Sequence, residues 1–201
     1  WDYFTFVPAD SNFVDKTADE IHQEEEAYLE EHGSMDGYEP QYPLYDNGTT
    51  GPENTVWRNT DEVAEQMKES GVISDKDSVV SGYDYIGIFG SGMPDLNYES
   101  EALREEMKDV ADFWLDAGVD GFRLDAARHI YGDYYSNIYS DYTFEKNMDY
   151  WKDFRASLEA EHPEVYLVGE VWEKNVDNVV PFLTDGGLHS VFDFNLSGKI
   201  Y

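Results

Sequence analysis

The chain has 201 residues, enough for one domain with its own core, and its 41% apolar and 16% aromatic content argues against a disordered polymer. It carries 44 acidic residues against 13 Lys plus Arg, a formal net charge of −31, which disfavours nucleic acid and anionic membranes as partners. No cysteine is present, so no disulfide staples the fold, and no apolar run nears the roughly 18–20 residues that span a bilayer.

The acid is spread along the chain rather than gathered in a tail. A dispersed negative surface keeps a protein soluble by self-repulsion and costs compactness unless salt screens it. A halophilic source is the expectation. The sequence opens on Trp1 without a signal peptide and ends on Tyr201 after an apolar run, so both ends read as cut from a longer chain.

Residues 1–60 are loop-like, aromatic and rich in Gly, Pro and Asn. One acidic helix is expected near Glu20–His32, with Ile21, Tyr28 and Leu29 as a thin apolar face and Gly33 as its stop. A second fits 60–70, with Asn59 and Glu62 spaced as a capping box and Gly71 beyond it. Residues 71–98 return to loop. So long a loop-rich segment is usually functional or a small subdomain.

From Ser100 the pattern changes. Ser100 can cap a helix on which Leu103, Met107, Val110, Ala111 and Trp114 recur at helical spacing, ended by Gly118. Next come a short strand in VDGFRLDAA, an aromatic loop, and a helix at about 143–160 with Phe144, Met148, Trp151, Phe154 and Leu158 on one face. VYLVGEVW reads as a second strand, 174–184 as a weaker helix, and VFDFNL as a third strand. Helices alternating with short apolar strands predict a parallel α/β sheet built from βαβ units. The division expected is a loop-rich part at 1–98 and a parallel-sheet part at 99–201.

Both strong strands end in a carboxylate, Asp125 after FRL and Glu170 after LVG. The C-terminal ends of parallel strands are where such folds place their active sites. Alternation with period two sends Arg123 and Asp125 to one face and Phe122 and Leu124 to the other. Two carboxylates converging from neighbouring strands suit glycoside hydrolysis, one ionised as nucleophile and one holding a proton as general acid. Arg123 favours an ionised Asp125, and partial enclosure by Val171 and Trp172 would suit Glu170 to the acid role. The residues alone leave open that Arg123 and Asp125 are a buried ion pair and that Glu170 caps the next helix.

DGFRLDAARH resembles the second conserved block of the α-amylase family, glycoside hydrolase family 13, and VGEVW resembles its third. MPDLN at 93–97 resembles the short block near the end of that family's domain B, in a form intermediate between oligo-1,6-glucosidase and neopullulanase types. The resemblance implies a partial (β/α)8 TIM barrel, about strands 4 to 6 with their helices, preceded by a domain B-like segment. It implies Asp125 as nucleophile, Glu170 as general acid/base and Arg123 as the residue that orients the nucleophile. Arg128 and His129 match the pair lining the acceptor side of the cleft. Asp95 and the His129 carbonyl match ligands of a structural Ca2+.

Trp172, beside Glu170, is expected as a sugar-stacking platform; the tyrosines of 131–142 are expected mainly in packing or loop. The implied substrate is an α-glucan or maltooligosaccharide, and the implied setting is extracellular. The family's first block, an Asn-His pair, and its fourth, a His-Asp pair with the third carboxylate, are absent from this sequence. Asp193 in VFDFNL does not replace the latter. This stretch alone is therefore expected to be inactive. α-Glucosidase and neopullulanase are the near alternatives. A non-catalytic transporter-associated relative and a barrel enzyme with a Mg2+ on the two carboxylates are the distant ones.

Overall fold

A computed structural model describes residues 3–44, 57–131, 141–173 and 175–200, apart from the side chains of 18, 141, 142, 195 and 200. The chain divides between Asn97 and Tyr98 into two compact units.

In the first unit, β1 (Phe6–Pro8) and β2 (Asn12–Val14) precede α1 (Ala18–His32). β3 (Gln41–Pro43), β4 (Trp57–Asn59), α2 (Thr60–Glu69) and β5 (Tyr83–Ile86) follow. The first helix starts earlier than the apolar pattern suggests because Thr17 and Glu20 form a capping box. The Glu20 N–H donates to Thr17 Oγ1 at 3.1 Å, and the Thr17 N–H to Glu20 Oε2 at 2.8 Å. Gly33, at φ 72°, ends it in a left-handed turn that glycine adopts without steric cost. Of its expected apolar face only Ile21 is buried; Leu29 is exposed. Asn59 caps α2, its side chain accepting from the N–H groups of Asp61 and Glu62.

Strands β1, β5 and β4 make a small antiparallel sheet in that order, with Phe6 opposite Tyr85 and Trp57 opposite Ile86. β2 and β3 pair separately and in parallel. The composition predicts loop for all of these, since a three- or four-residue strand is too short for alternation to register. Their core is thin and aromatic. Trp57 packs on Phe13 at 5.0 Å between centroids and donates its indole N–H to the Pro43 carbonyl at 2.9 Å.

In the second unit, α3 (Glu101–Asp116), β6 (Gly121–Leu124), α4 (Asp141–Glu161), β7 (Tyr166–Gly169), α5 (Val176–Thr184), β8 (Ser190–Val191) and α6 (Phe194–Ile200) alternate. β6, β7 and β8 lie side by side and parallel, Phe122 opposite Leu167, Leu124 opposite Gly169, and Val168 opposite Ser190. This is the βαβ order that the alternation predicts. One continuous core joins α4 to the sheet through Met148, Trp151, Phe154, Leu158, Leu167 and Val171.

Two local expectations change. Trp114 is half-exposed together with Val110 and Phe113, while Leu103, Ala111 and Leu115 form the buried stripe. The buried stripe keeps Leu103 and Ala111 of the expected face and turns toward Leu115, away from Val110 and Trp114. VFDFNL is a strand only at its start: the Asp193 carboxylate accepts the Leu196 N–H at 2.8 Å and opens α6, which ends the ladder after Val191. His189 accepts the Leu167 N–H on Nδ1 at 3.1 Å and stacks on Tyr166.

Candidate active site

β6 presents its two faces as the alternation requires. Phe122 and Leu124 are half-buried against the core, while the side chains of Arg123 and Asp125 are 43% and 79% exposed on the other side. Glu170, one residue beyond the end of β7, is more enclosed, with 25% of its side chain exposed.

One guanidinium joins the two carboxylates. Arg123 donates through Nη1 to Asp125 Oδ1 and through Nη2 to Glu170 Oε2. Sequence spacing pairs Arg123 with Asp125; Glu170 is the partner that strand register adds. A cation between two carboxylates offsets their mutual repulsion, and the planar fork fixes where each oxygen sits. The same guanidinium lies over the Phe192 ring, 5.9 Å from its centroid.

The backbone beneath is tied across the strands. The Glu170 N–H donates to the Leu124 carbonyl at 2.9 Å, and the Glu170 carbonyl accepts the Ala127 N–H at 3.0 Å. Between those two bonds Ala126 takes φ 44°, in the left-handed region. A non-glycine residue seldom sits there without the surroundings holding it.

The next residues are Arg128 and His129, the pair that the resemblance sets on the acceptor side. The Arg128 side chain is nearly buried. It donates to the Trp172 carbonyl and, at 3.1 Å, to Glu173 Oε2. Glu173, which the sequence reading passed over, is equally buried and accepts the Asn175 N–H at 2.7 Å at the entry to α5. Arg128 thus fastens the backbone carrying Trp172. Burial, with the Arg128 charge adding to it, lowers the His129 pKa to about 4, so its imidazole is neutral at pH 7.

Trp172 is 67% exposed, its ring 6.1 Å from Phe194, which in turn lies 6.1 Å from Phe192. These rings form an aromatic margin on the side of the site formed by β7 and β8. The two phenylalanines escaped the sequence reading because VFDFNL looked like a strand interior. Of the tyrosines at 131–142, Tyr131 is buried and donates its hydroxyl to the Tyr98 carbonyl at 3.0 Å. Tyr134, Tyr135, Tyr139 and the side chain of Tyr142 lie outside the described residues.

Asp95 lies in the first unit. Its carboxylate accepts the Ile88 N–H at 2.8 Å, and burial raises its pKa to about 6 against the opposing pull of that bond and of Arg58. Among the described residues no three His, Cys, Asp or Glu side chains converge on a possible metal position. One carboxylate and one backbone carbonyl fall short of the six to eight oxygens that Ca2+ takes.

Comparison with known proteins places these features in context. A family model described as the alpha amylase catalytic domain matches residues 15–199. Alpha-amylase 3 of Dictyoglomus thermophilum is 47% identical over 120 residues, which cover 60% of this chain and 21% of that protein. A 4-alpha-glucanotransferase of Thermotoga maritima is 32% identical over 117 residues, covering 58% of this chain and 23% of that protein. The crystal structure of an alpha-amylase from H. orenii superposes with a TM-score of 0.52 at 34% identity, over 76% of this chain and 25% of that one. The chain thus spans about a fifth to a quarter of the length of these relatives.

Proposed function

Since this chain belongs to the α-amylase catalytic-domain family of glycoside hydrolases, we propose that it supplies the nucleophile and the general acid/base of a retaining α-glucan hydrolase. Its bonds of choice are α-1,4-glucosidic, in starch and maltooligosaccharides. β6, β7 and β8 then stand as barrel strands four to six, with residues 1–98 as the domain B-like segment.

The observation that carries this reading is the single guanidinium shared by Asp125 and Glu170 at the ends of adjacent parallel strands. Two carboxylates reached by one Arg side chain are close together. A short separation, about 5–5.5 Å, suits direct attack by one carboxylate on the anomeric carbon, whereas inverting enzymes leave a wider gap for water. Asp125, open and held by Arg123, attacks and forms a glucosyl ester. Glu170, the more enclosed, protonates the leaving oxygen and then takes a proton from the water that hydrolyses the ester. Trp172 offers an apolar ring face to a sugar beside Glu170.

Product analysis of the full-length protein on starch, maltose, pullulan and isomaltose tests the assignment. Soluble maltooligosaccharides from starch support it. Cleavage confined to maltose would move it to α-glucosidase, and panose from pullulan to neopullulanase. No cleavage of any of them would remove it. Residues 1–201 alone are expected to release no sugar, because the family's third carboxylate is not in this sequence. We extend the proposal to a salt-adapted enzyme on the strength of the −31 net charge, and to an extracellular one on the family resemblance alone. Its melting temperature should then rise as KCl goes from 0.1 to 1 M, where the screening length falls from about 10 to about 3 Å.

A further inference from the structure

The two carboxylates are set by more than the strand ladder. Leu124 and Ala127 flank the Asp125–Ala126 step, and both bond to the backbone of Glu170: its N–H to the Leu124 carbonyl, its carbonyl from the Ala127 N–H. The left-handed turn at Ala126 is what brings the Ala127 N–H back toward β7. The Ala127 carbonyl is bonded in its turn. The indole N–H of Trp151, from the middle of α4, donates to it at 2.7 Å. Ala127 is wholly buried and Trp151 is 4% exposed, so no water can substitute for that bond.

We propose that Trp151 is a positioning residue for the reaction, acting through the Ala127 peptide to hold Asp125 and Glu170 in register. Its ring belongs to the core, but its N–H has a separate task. It anchors a strained turn whose other end grips the backbone of the acid/base. Without that donor the Ala127 carbonyl is buried and unsatisfied, and the turn relaxes toward ordinary backbone angles. Asp125 then shifts relative to Glu170. The loss falls on the chemical step rather than on binding.

The kinetic arm of the test rests on the glycosidase reading; the exchange arm does not. In the full-length enzyme Trp151→Phe should lower kcat about tenfold with KM for maltooligosaccharide within about twofold. The Ala127 amide should exchange with solvent at least about tenfold faster than in the wild type. Leu158→Ala, which empties space in the same helix and core without touching the bridge, is the control. Well below its melting temperature it should leave kcat unchanged. Should Trp151→Phe fail to fold, benzothienylalanine at 151 keeps the ring shape and removes only the N–H, with the same expectations. An unchanged kcat together with unchanged Ala127 exchange would overturn the proposal, as would a drop equal to that of Leu158→Ala. A wild type inert on every α-glucan would defeat the functional reading alone, and Ala127 exchange would still decide the bridge.

Discussion

The two units make their structure from different materials. The second builds on a parallel sheet clamped by long helices, with Leu158 and Leu167 fully enclosed in a continuous core. The first has strands of three and four residues in two small sheets, and its buried side chains are scattered among Val7, Ile21, Trp57, Tyr85 and Ile88. Chemistry that depends on placing two carboxylates to within a fraction of an ångström needs the rigid support, and Asp125 and Glu170 stand on it. The thinner unit suits a segment whose loops can vary without disturbing that placement.

The contrast is sharpest in activity. Asp125→Asn or Glu170→Gln in the full-length protein should lower kcat by about a thousandfold or more, with the fold intact by circular dichroism. Asp95→Asn, in the first unit, should leave kcat within about tenfold. Equal losses at all three would erase the distinction between the units.

Stability should divide in the same way. Leu167→Ala leaves a cavity in a closed core and should cost about 3–4 kcal/mol in denaturant unfolding; Val7→Ala, in the thinner core, should cost about 1–2. Gly121 gives a backbone version of the comparison. A Cβ there would lie 2.0 Å from the Tyr166 carbonyl oxygen, so Gly121→Ala must push β6 from β7, at about 2–3 kcal/mol. Gly33 in the first unit has open space around it and only its φ of 72° to defend, so Gly33→Ala should cost about 1.

The smallest effect is in pH. Burial, followed by the Arg155 charge, lowers the His189 pKa below its usual value against the pull of Glu159, and its Nδ1 must stay unprotonated to accept the Leu167 N–H. A depressed histidine pKa gives stability that is full above about 6.5 and is lost as pH falls through the folded-state value. The melting temperature of the second unit should therefore drop between pH 7 and pH 5, and His189→Gln should flatten that drop. A profile unchanged by the substitution would contradict the link.

The chemistry-bearing part of the fold was the part most open to reading from sequence. Charges inside an apolar run stand out, and period two assigns them a face, so Arg123, Asp125 and Glu170 could be placed before any coordinates. Helix starts were legible where one side chain does the capping, as at Asn59 and Ser100. The short strands of the first unit were not, because pairing between distant segments decides them. Neither was the left-handed Ala126, since alanine carries no signal for that backbone, nor the second partner of Arg123, which depends on strand register. Trp114 shows the limit of periodicity: it shares a face with the buried Leu103 yet is half-exposed, because spacing does not say how far along a helix the neighbouring elements reach.

The proposed mechanism makes Asp125 the nucleophile, held beside Glu170 by Arg123. Incubating the full-length Glu170→Gln variant with a 5-fluoro-α-glucosyl fluoride, followed by peptide mass spectrometry, tests this directly. The expected result is one fluoroglucosyl group on the peptide containing Asp125, absent from the Asp125→Asn double variant. A label on another carboxylate, or no covalent adduct under conditions where fluoride is released, would contradict it.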